Sequence, residues 1–421
     1  ARRLPPRRST ALMPRTDLIP RTDLRPERTT AMSLRILIAP SGFKESLGPL
    51  EVAHHITEGL RRALPDAELD ALPLVDGGEG FTEGMVAATG GRLHPVSVCG
   101  PVGDPVEATI GILGGHQRGT AVLEIAAAAG LRLVPRTRRD PRWTTSRGVG
   151  ELVRHALDRG ARRLLIGCGD SGVSDGGAGM AQALGARLLD GAGRELSPGA
   201  VPLLDLHRID LRDLDPRLRL SEIVVACNPT NVLCGPRGVA RVYGPQKGAD
   251  AAAVEQLDAA LERWADALEE ATDRDLRSVP GGGASGGLGA GFAAVCRARL
   301  RPRFEVTLAD VDLDRRLGWA DLVVTAEGSL DGQTPNGKVP SEVGRRAAEV
   351  GVPVLALAGT LGAGHRATRA CGISAYTSIL DRPQSLEDAV SRTGELLADA
   401  AEQAGAMIAV GRGLALSGAR R

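Results

Sequence analysis

The chain has 421 residues, 43% apolar and 24% charged, but only 2% aromatic, so its core has to be built from Ala, Leu, Val and Ile. The net charge of +1 is unevenly spread: residues 1–31 hold eight Arg against three acids, which leaves the remainder at −4. A slightly acidic body carries no electrostatic footprint for nucleic acid, and no apolar run reaches the roughly 18 residues of a membrane span, so neither partner is expected.

Residues 1–31 carry five prolines and a twofold Pro-Arg-Thr-Asp-Leu repeat. They read as a disordered basic, Pro-rich extension, with the folded chain starting near Met32. From Arg35 one pattern recurs: a short aliphatic run ends in glycine and polar residues, and an amphipathic helix follows. RILIAP (35–40) leads through SGFKESLG to a helix over 49–63, with Pro49 in its first turn. LDALPLV (69–75) leads through DGGEG to a helix over 81–89. The runs at 94–100, 106–113 and 120–126 have short links and no helix between them, the mark of a β-meander opening a second domain. A helix over 148–159 comes next. RLLIGCG (163–169) then leads through DSGVSDGG to a helix over 178–184. EIVVAC (222–227) precedes NPTNVLCGPRG, and a long helix covers 251–272. DLVVTA (321–326) leads through EGSLDGQTPNGK to a helix over 340–349, and strands follow at 353–359 and 374–380. The alternation predicts an α/β fold with open, mostly parallel sheets, whose ligands bind beyond the carboxyl ends of the strands. The six cysteines form no C-x-x-C pair and lie near no His at zinc spacing, so six reduced thiols in a cytoplasmic protein are expected.

The polar loops carry the chemistry. Lys44, in the first, can reach phosphate or carboxylate oxygens as a point charge. Asp76-Gly77-Gly78-Glu79-Gly80 places two carboxylates around bare backbone, suited to Mg²⁺ or to taking a hydroxyl proton. Asp170 through Gly179 joins a buried strand to a glycine-rich helix start, where free N–H groups attract anions, and Asp170 and Asp175 are candidate metal ligands. Lys247 sits between glycines ahead of the long helix. Gly281–Gly289 contains G-x-G-x-x-G but lacks a preceding strand, so it reads as a phosphate-cradling or hinge loop. Glu327, Asp331 and Lys338 share the last loop: an acid to accept the proton of an attacking hydroxyl and a Lys to hold a phosphoryl oxygen. No P-loop, protein-kinase motif set or nucleophile elbow occurs.

Taken together, the stretches AP-x-x-FKESL (39–47), DGGEG (76–80), TTSRGVGEL (144–152), SDGGAGMAQALGA (174–186), CGPRG (234–238), YGPQKGA (243–249), LVVTAEG (322–328) and NGKVP (336–340) resemble, in order, the bacterial glycerate kinase family. The resemblance runs from about Arg35 to about Gly411. It implies two α/β domains: a flavodoxin-like parallel-sheet domain formed by both chain ends (34–92 plus 300–412) and an inserted α/β domain (93–299). It further implies ATP and Mg²⁺ as cofactors, D-glycerate as the small-molecule substrate with the 2-hydroxyl as the more usual acceptor, and a possible homodimer. Residue by residue, the expected catalytic groups are Lys44, Asp76, Asp331 and Lys338. Substrate or phosphate binding is expected from Glu79, Ser146, Arg147, Ser171, Asn231, Lys247, Gly282, Gly283, Gly286 and Gly287, and metal binding from Asp170, Asp175 and Glu327. Ser41, Ser174, Asn228, Val232, Ala326, Ser329 and Asn336 depart from the usual pattern. Two carboxylates and a guanidinium are thereby missing, which leaves a kinase for a related hydroxy acid, or a non-catalytic ligand-binding member, as alternatives.

Overall fold

The structure, a computed structural model, describes residues 33–43, 46–75, 77–308 and 312–418. The basic extension over 1–31, Lys44 and Asp76 lie outside the described residues. Strands in chain order are β1 (Arg35–Ile38), β2 (Glu68–Ala71), β3 (Arg92–Cys99), β4 (Pro105–Ile112), β5 (Thr120–Glu124), β6 (Arg163–Gly167), β7 (Arg187–Leu189), β8 (Arg208–Asp210), β9 (Glu222–Cys227), β10 (Arg299–Pro302), β11 (Leu322–Leu330), β12 (Val354–Leu361) and β13 (Ala375–Ser378). They form a five-stranded sheet of order β13-β12-β11-β1-β2, a six-stranded sheet of order β10-β9-β6-β5-β4-β3, and a small β7-β8 pair.

The five-stranded sheet is parallel throughout and draws its strands from both ends of the chain. Its side chains alternate between two cores, as the period of two demands. Ile36, Ile38 and Val324 pack under helices Pro49–Ala63 and Thr393–Gly418. Leu37, Val323 and Ala356 face helices Leu313–Trp319 and Val339–Glu349. The six-stranded sheet opens with the expected meander, since β3-β4 and β4-β5 are antiparallel, and continues in parallel from β5 to β10. Its larger core takes in Trp264, Phe292 and the helix Arg147–Asp158. Helix Phe81–Thr89 covers the other face, burying Phe81, Met85 and Val86 against Val122, Leu165 and Val224. So the DGGEG stretch leads from an edge strand of one sheet to a helix lying on the other.

Two elements differ from the sequence expectation. β11 extends to Leu330, so Glu327 and Ser329 lie on a strand and not in a loop. The added residues pair with β12, Ser329 with Thr360 and Leu330 with Leu361, a partner more than two dozen residues on that local pattern does not reveal. β2 stops at Ala71, and Leu72 and Leu74 are buried without being part of a strand.

Candidate active site

Strand ends of both sheets open onto one cavity of about 590 Å³. Ser41 and Gly42 enter it just past β1, Glu327 from β11, and Asp170 just past β6. Glu79 and Gly80 add the DGGEG wall, and Arg132, Arg136 and Arg139 come from the turns that follow β5. Phe43, Ser46 and Val75, which flank Lys44 and Asp76 in the chain, also line it.

Asp170 is held at φ +49°, a left-handed conformation that strains a non-glycine residue and persists only where its surroundings over-determine it. Here its carbonyl accepts from the Leu131 amide at 2.8 Å and its carboxylate from the Glu79 amide at 3.2 Å. One strained residue thus ties the acidic loop to the arginine turns. The Glu79 carboxylate in turn pairs with Arg132. The glycines let these loops touch: a Cβ at Gly169 would stand 2.5 Å from the Gly78 Cα.

Beside Glu327 lies a compact charged group. Lys338 Nζ is 3.4 Å from Glu327 Oε1 and 3.5 Å from Asp331 Oδ2, and it donates to the Ser329 carbonyl at 3.0 Å. Asp331 also accepts from the Ser329 hydroxyl at 3.1 Å and the Gln333 amide at 2.8 Å. Burial pushes the Asp331 carboxyl up, but the Gln333 amide, the Lys338 charge and the Ser329 hydroxyl outweigh it and hold the group below its ordinary range. Both side chains keep partial exposure, 22% for Lys338 and 29% for Asp331.

Other expected site residues turn away from the cavity. Asp175 is fully buried, and its two oxygens accept from the Ser146 amide (2.8 Å) and hydroxyl (2.9 Å) and from the amides of Gly177 and Gly179 (both 3.2 Å). The Ser146 hydroxyl accepts from the Met180 amide at 3.0 Å. Asp175 and Ser146 together fasten two helix starts, and burial raises the Asp175 carboxyl against the pull of those donors. Lys247 is 3% exposed and donates inward, to the Ser171 hydroxyl at 3.1 Å and the Val173 carbonyl at 2.5 Å. Burial pushes its ammonium down to about 7, with the Asp175 charge opposing.

Gly282, Gly283, Gly286 and Gly287 are buried as well. A Cβ at Gly286, whose φ is +76°, would come within 1.9 Å of the Val173 carbonyl, and one at Gly283 within 2.0 Å of the Val232 carbonyl. The stretch that reads as a phosphate cradle is a place where backbones cross closely inside the core. Asn231 joins that crossing, its side-chain oxygen accepting from the Tyr243 hydroxyl at 3.1 Å and its carbonyl from the Gly283 amide at 3.2 Å. Arg147 lies on the surface, paired with Glu151 at 3.2 Å. The three expected metal ligands therefore do not converge: Asp170 and Glu327 reach the cavity and Asp175 does not. Among the described residues no group of three or more His, Cys, Asp or Glu side chains is placed to hold a metal ion.

Two features escaped the sequence reading. One is the arginine wall, which does have a signal: a run of four Arg between Leu131 and Arg139, just after a strand. The other is Glu124, 4% exposed at the end of β5, which accepts from the Thr82 amide at 3.0 Å and the Gly80 amide at 3.4 Å. Burial, with the charge of Glu83 adding, raises it to about 8 against those two amides. Nothing in the strand's sequence marks it.

The profile of the Glycerate kinase family matches residues 36–409. The chain belongs to that family. It is 44% identical over 375 residues to the glycerate kinase of Bacillus subtilis (strain 168), covering 89% of this chain and 98% of that one. It is 42% identical over 378 residues to the glycerate 2-kinase of Escherichia coli (strain K12), covering 90% and 99%. Among solved structures, a putative glycerate kinase 2 from Salmonella typhimurium LT2 superposes with a TM-score of 0.72 at 44% identity, covering 90% of this chain and 99% of that one. The family makes the chain a kinase, and the phosphoryl donor of a kinase is ATP. Among the described residues no helix is long and apolar enough to cross a membrane. Two of the positions that depart from the usual family pattern meet each other: the Ser41 hydroxyl donates to the Ala326 carbonyl at 3.1 Å. A third, Ser329, supports Asp331.

Proposed function

We propose that this chain moves the γ-phosphoryl group of ATP onto a hydroxyl of D-glycerate, the 2-hydroxyl in particular, releasing ADP and phosphoglycerate. The observation that carries the reading is the cavity where Asp170, Glu79, Glu327 and three arginines meet, with the Asp331–Lys338 pair beside Glu327. Both substrates are anions, and a guanidinium grips carboxylate or phosphate oxygens with two parallel hydrogen bonds, a suitable role for Arg132, Arg136 and Arg139. In the transfer, the glycerate hydroxyl oxygen forms a bond to the γ-phosphorus, the bond from that phosphorus to the β–γ bridging oxygen breaks, and the hydroxyl proton passes to Asp331. A carboxylate of low basicity suffices, because phosphoryl transfer is mostly positioning and charge neutralisation. Lys338 neutralises charge on the transferring group and orients Asp331. Lys44 and Asp76, whose chain neighbours line the cavity, would act on the same oxygens.

Asp170 and Glu327 would hold Mg²⁺, which when bound neutralises and orients the phosphates. One or two carboxylates with phosphate oxygens and water make an ordinary magnesium shell, so the donor set fits. The two sheets would act as separate domains that close over the substrates. Six free cysteines suit the cytoplasm.

A coupled ADP-release assay with Mg-ATP and D-glycerate tests the reading, and coupling the product directly to enolase tests the position, since that enzyme consumes the 2-phosphate. Absence of turnover would refute it. Faster turnover of tartronate or an aldonate would replace the acceptor and keep the kinase.

A further inference from the structure

A second cavity, larger at about 820 Å³, adjoins the first, and both are lined by Pro49, Leu74, Val75, Glu79 and Arg132. Its character is different. Leu72 and Leu74 lie on one side of the chain that follows β2, and Met85, Ala87 and Ala88 come from the helix Phe81–Thr89. Its arginines are paired, Arg316 with Asp70, Arg315 with Asp312 and Arg132 with Glu79, while the carboxylates of Glu51, Glu83 and Glu124 line it without an ion-pair partner among the described residues. Two polar atoms there have no hydrogen-bond partner: the hydroxyl of Thr307, a residue only 2% exposed, and the Nε of Arg316. A buried polar atom without a partner destabilises the fold that carries it, so a pair of them in one slot asks for a ligand.

We propose that this slot is the base-binding subsite for the nucleotide. This rests on the kinase reading above. A purine is flat, apolar on both faces and polar at its edge. Aliphatic walls with a few convergent polar groups, in a volume ordinary for small-molecule sites, suit that shape. Thr307 and Arg316 meet the edge of the ring. The phosphates extend past Arg132 into the first cavity, where the remaining arginines and the carboxylates lie. The apolar half of ATP and the anionic half of the reaction are thus held by adjoining cavities of matching character. Thr307 and Arg316 are then nucleotide-binding residues with no part in glycerate recognition.

Two variants test this by binding as well as turnover. Ala88 is exposed on its helix and lines the slot, so Ala88→Trp fills the space without disturbing the core. Thr307→Val removes the hydroxyl and keeps the shape. Titration calorimetry with ADP and with inorganic tripolyphosphate separates base from phosphate. Ala88→Trp is expected to weaken ADP about tenfold or more and Thr307→Val about fivefold, with tripolyphosphate changed less than about twofold in either. KM for ATP should rise in step, with kcat and KM for glycerate unchanged. The Thr307→Val thermal midpoint should not fall, because the lost hydroxyl had no partner. ADP affinity within about twofold of wild type in both variants would overturn the proposal, as would equal losses for tripolyphosphate or glycerate. A wild-type chain that binds tripolyphosphate and glycerate but not ADP would overturn it too. Failure of D-glycerate turnover while ADP still binds would refute the acceptor and leave the subsite standing.

Discussion

Two lysines of this chain each sit near an aspartate, in opposite settings. Lys338 lies between Asp331 and the cavity-lining Glu327, about a fifth exposed, with its charge compensated by carboxylates. Lys247 is enclosed, bonded to a hydroxyl and a carbonyl, with its ammonium pushed down to about 7 by burial, and Asp175 nearby spends both its oxygens on four protein donors. Both lysines follow or precede glycine in polar loops, and both read as chemistry. Only the first is accessible to a ligand. The second acts on the cavity at one remove, since the loop it pins begins with Asp170, which lines the wall. Residue type in a glycine-rich loop therefore identifies what a group can do, and burial decides whether it does it to a substrate or to the fold.

The largest effect is expected at Asp331. Asp331→Asn keeps the size and removes the basic oxygen, and should lower kcat by about a thousandfold with little change in melting temperature, read by coupled assay and calorimetry. A stability loss with unchanged kcat would place Asp331 in the same class as Asp175. For Asp175→Ala the reverse is expected: four donors lose their acceptor, and the chain should lose about 3 kcal/mol of stability in urea titrations.

Lys247→Met sharpens the contrast through pH. The folded-state pKa, about 7, lies below the roughly 10.4 of an unfolded lysine, so between them the unfolded chain binds more protons and the folded form gains as pH rises. Compared with Lys247→Met, wild type should gain about 2 kcal/mol between pH 7 and pH 9, seen as diverging urea midpoints. Parallel midpoints would mean the lysine is not titrating in the fold. The smallest effect is expected at Arg147, whose pair with Glu151 is exposed. Arg147→Ala should change stability by less than about 0.5 kcal/mol and leave both KM values unmoved. A rise in either KM would bring Arg147 back into the site.

Much of the fold was legible. The helix over 251–272 and the strand over 222–227 fall where their apolar spacing puts them, and so does the antiparallel start of the six-stranded sheet. The site was legible in part. Asp170, Glu79 and Glu327 line the cavity, and Asp331 and Lys338 pair next to Glu327. The arginine wall had a weak signal in its charge run, and Glu124 had none, because a single acid at a strand end looks the same exposed or buried. The glycines at 282–287 misled because a bare backbone serves equally for a phosphate or for another strand of chain, and Val173 and Val232 occupy the space here.

The class of fold follows from strand and helix periodicity, which are local properties, and the family follows from the order of the polar loops. Tertiary structure decided which loops face the cavity. Lys247 and its partner Ser171 are 76 positions apart, and β11 lengthens only because β12 is beside it. Burial comes from such distant packing, and burial sets whether a carboxylate or an ammonium is offered to a substrate or used up inside the protein.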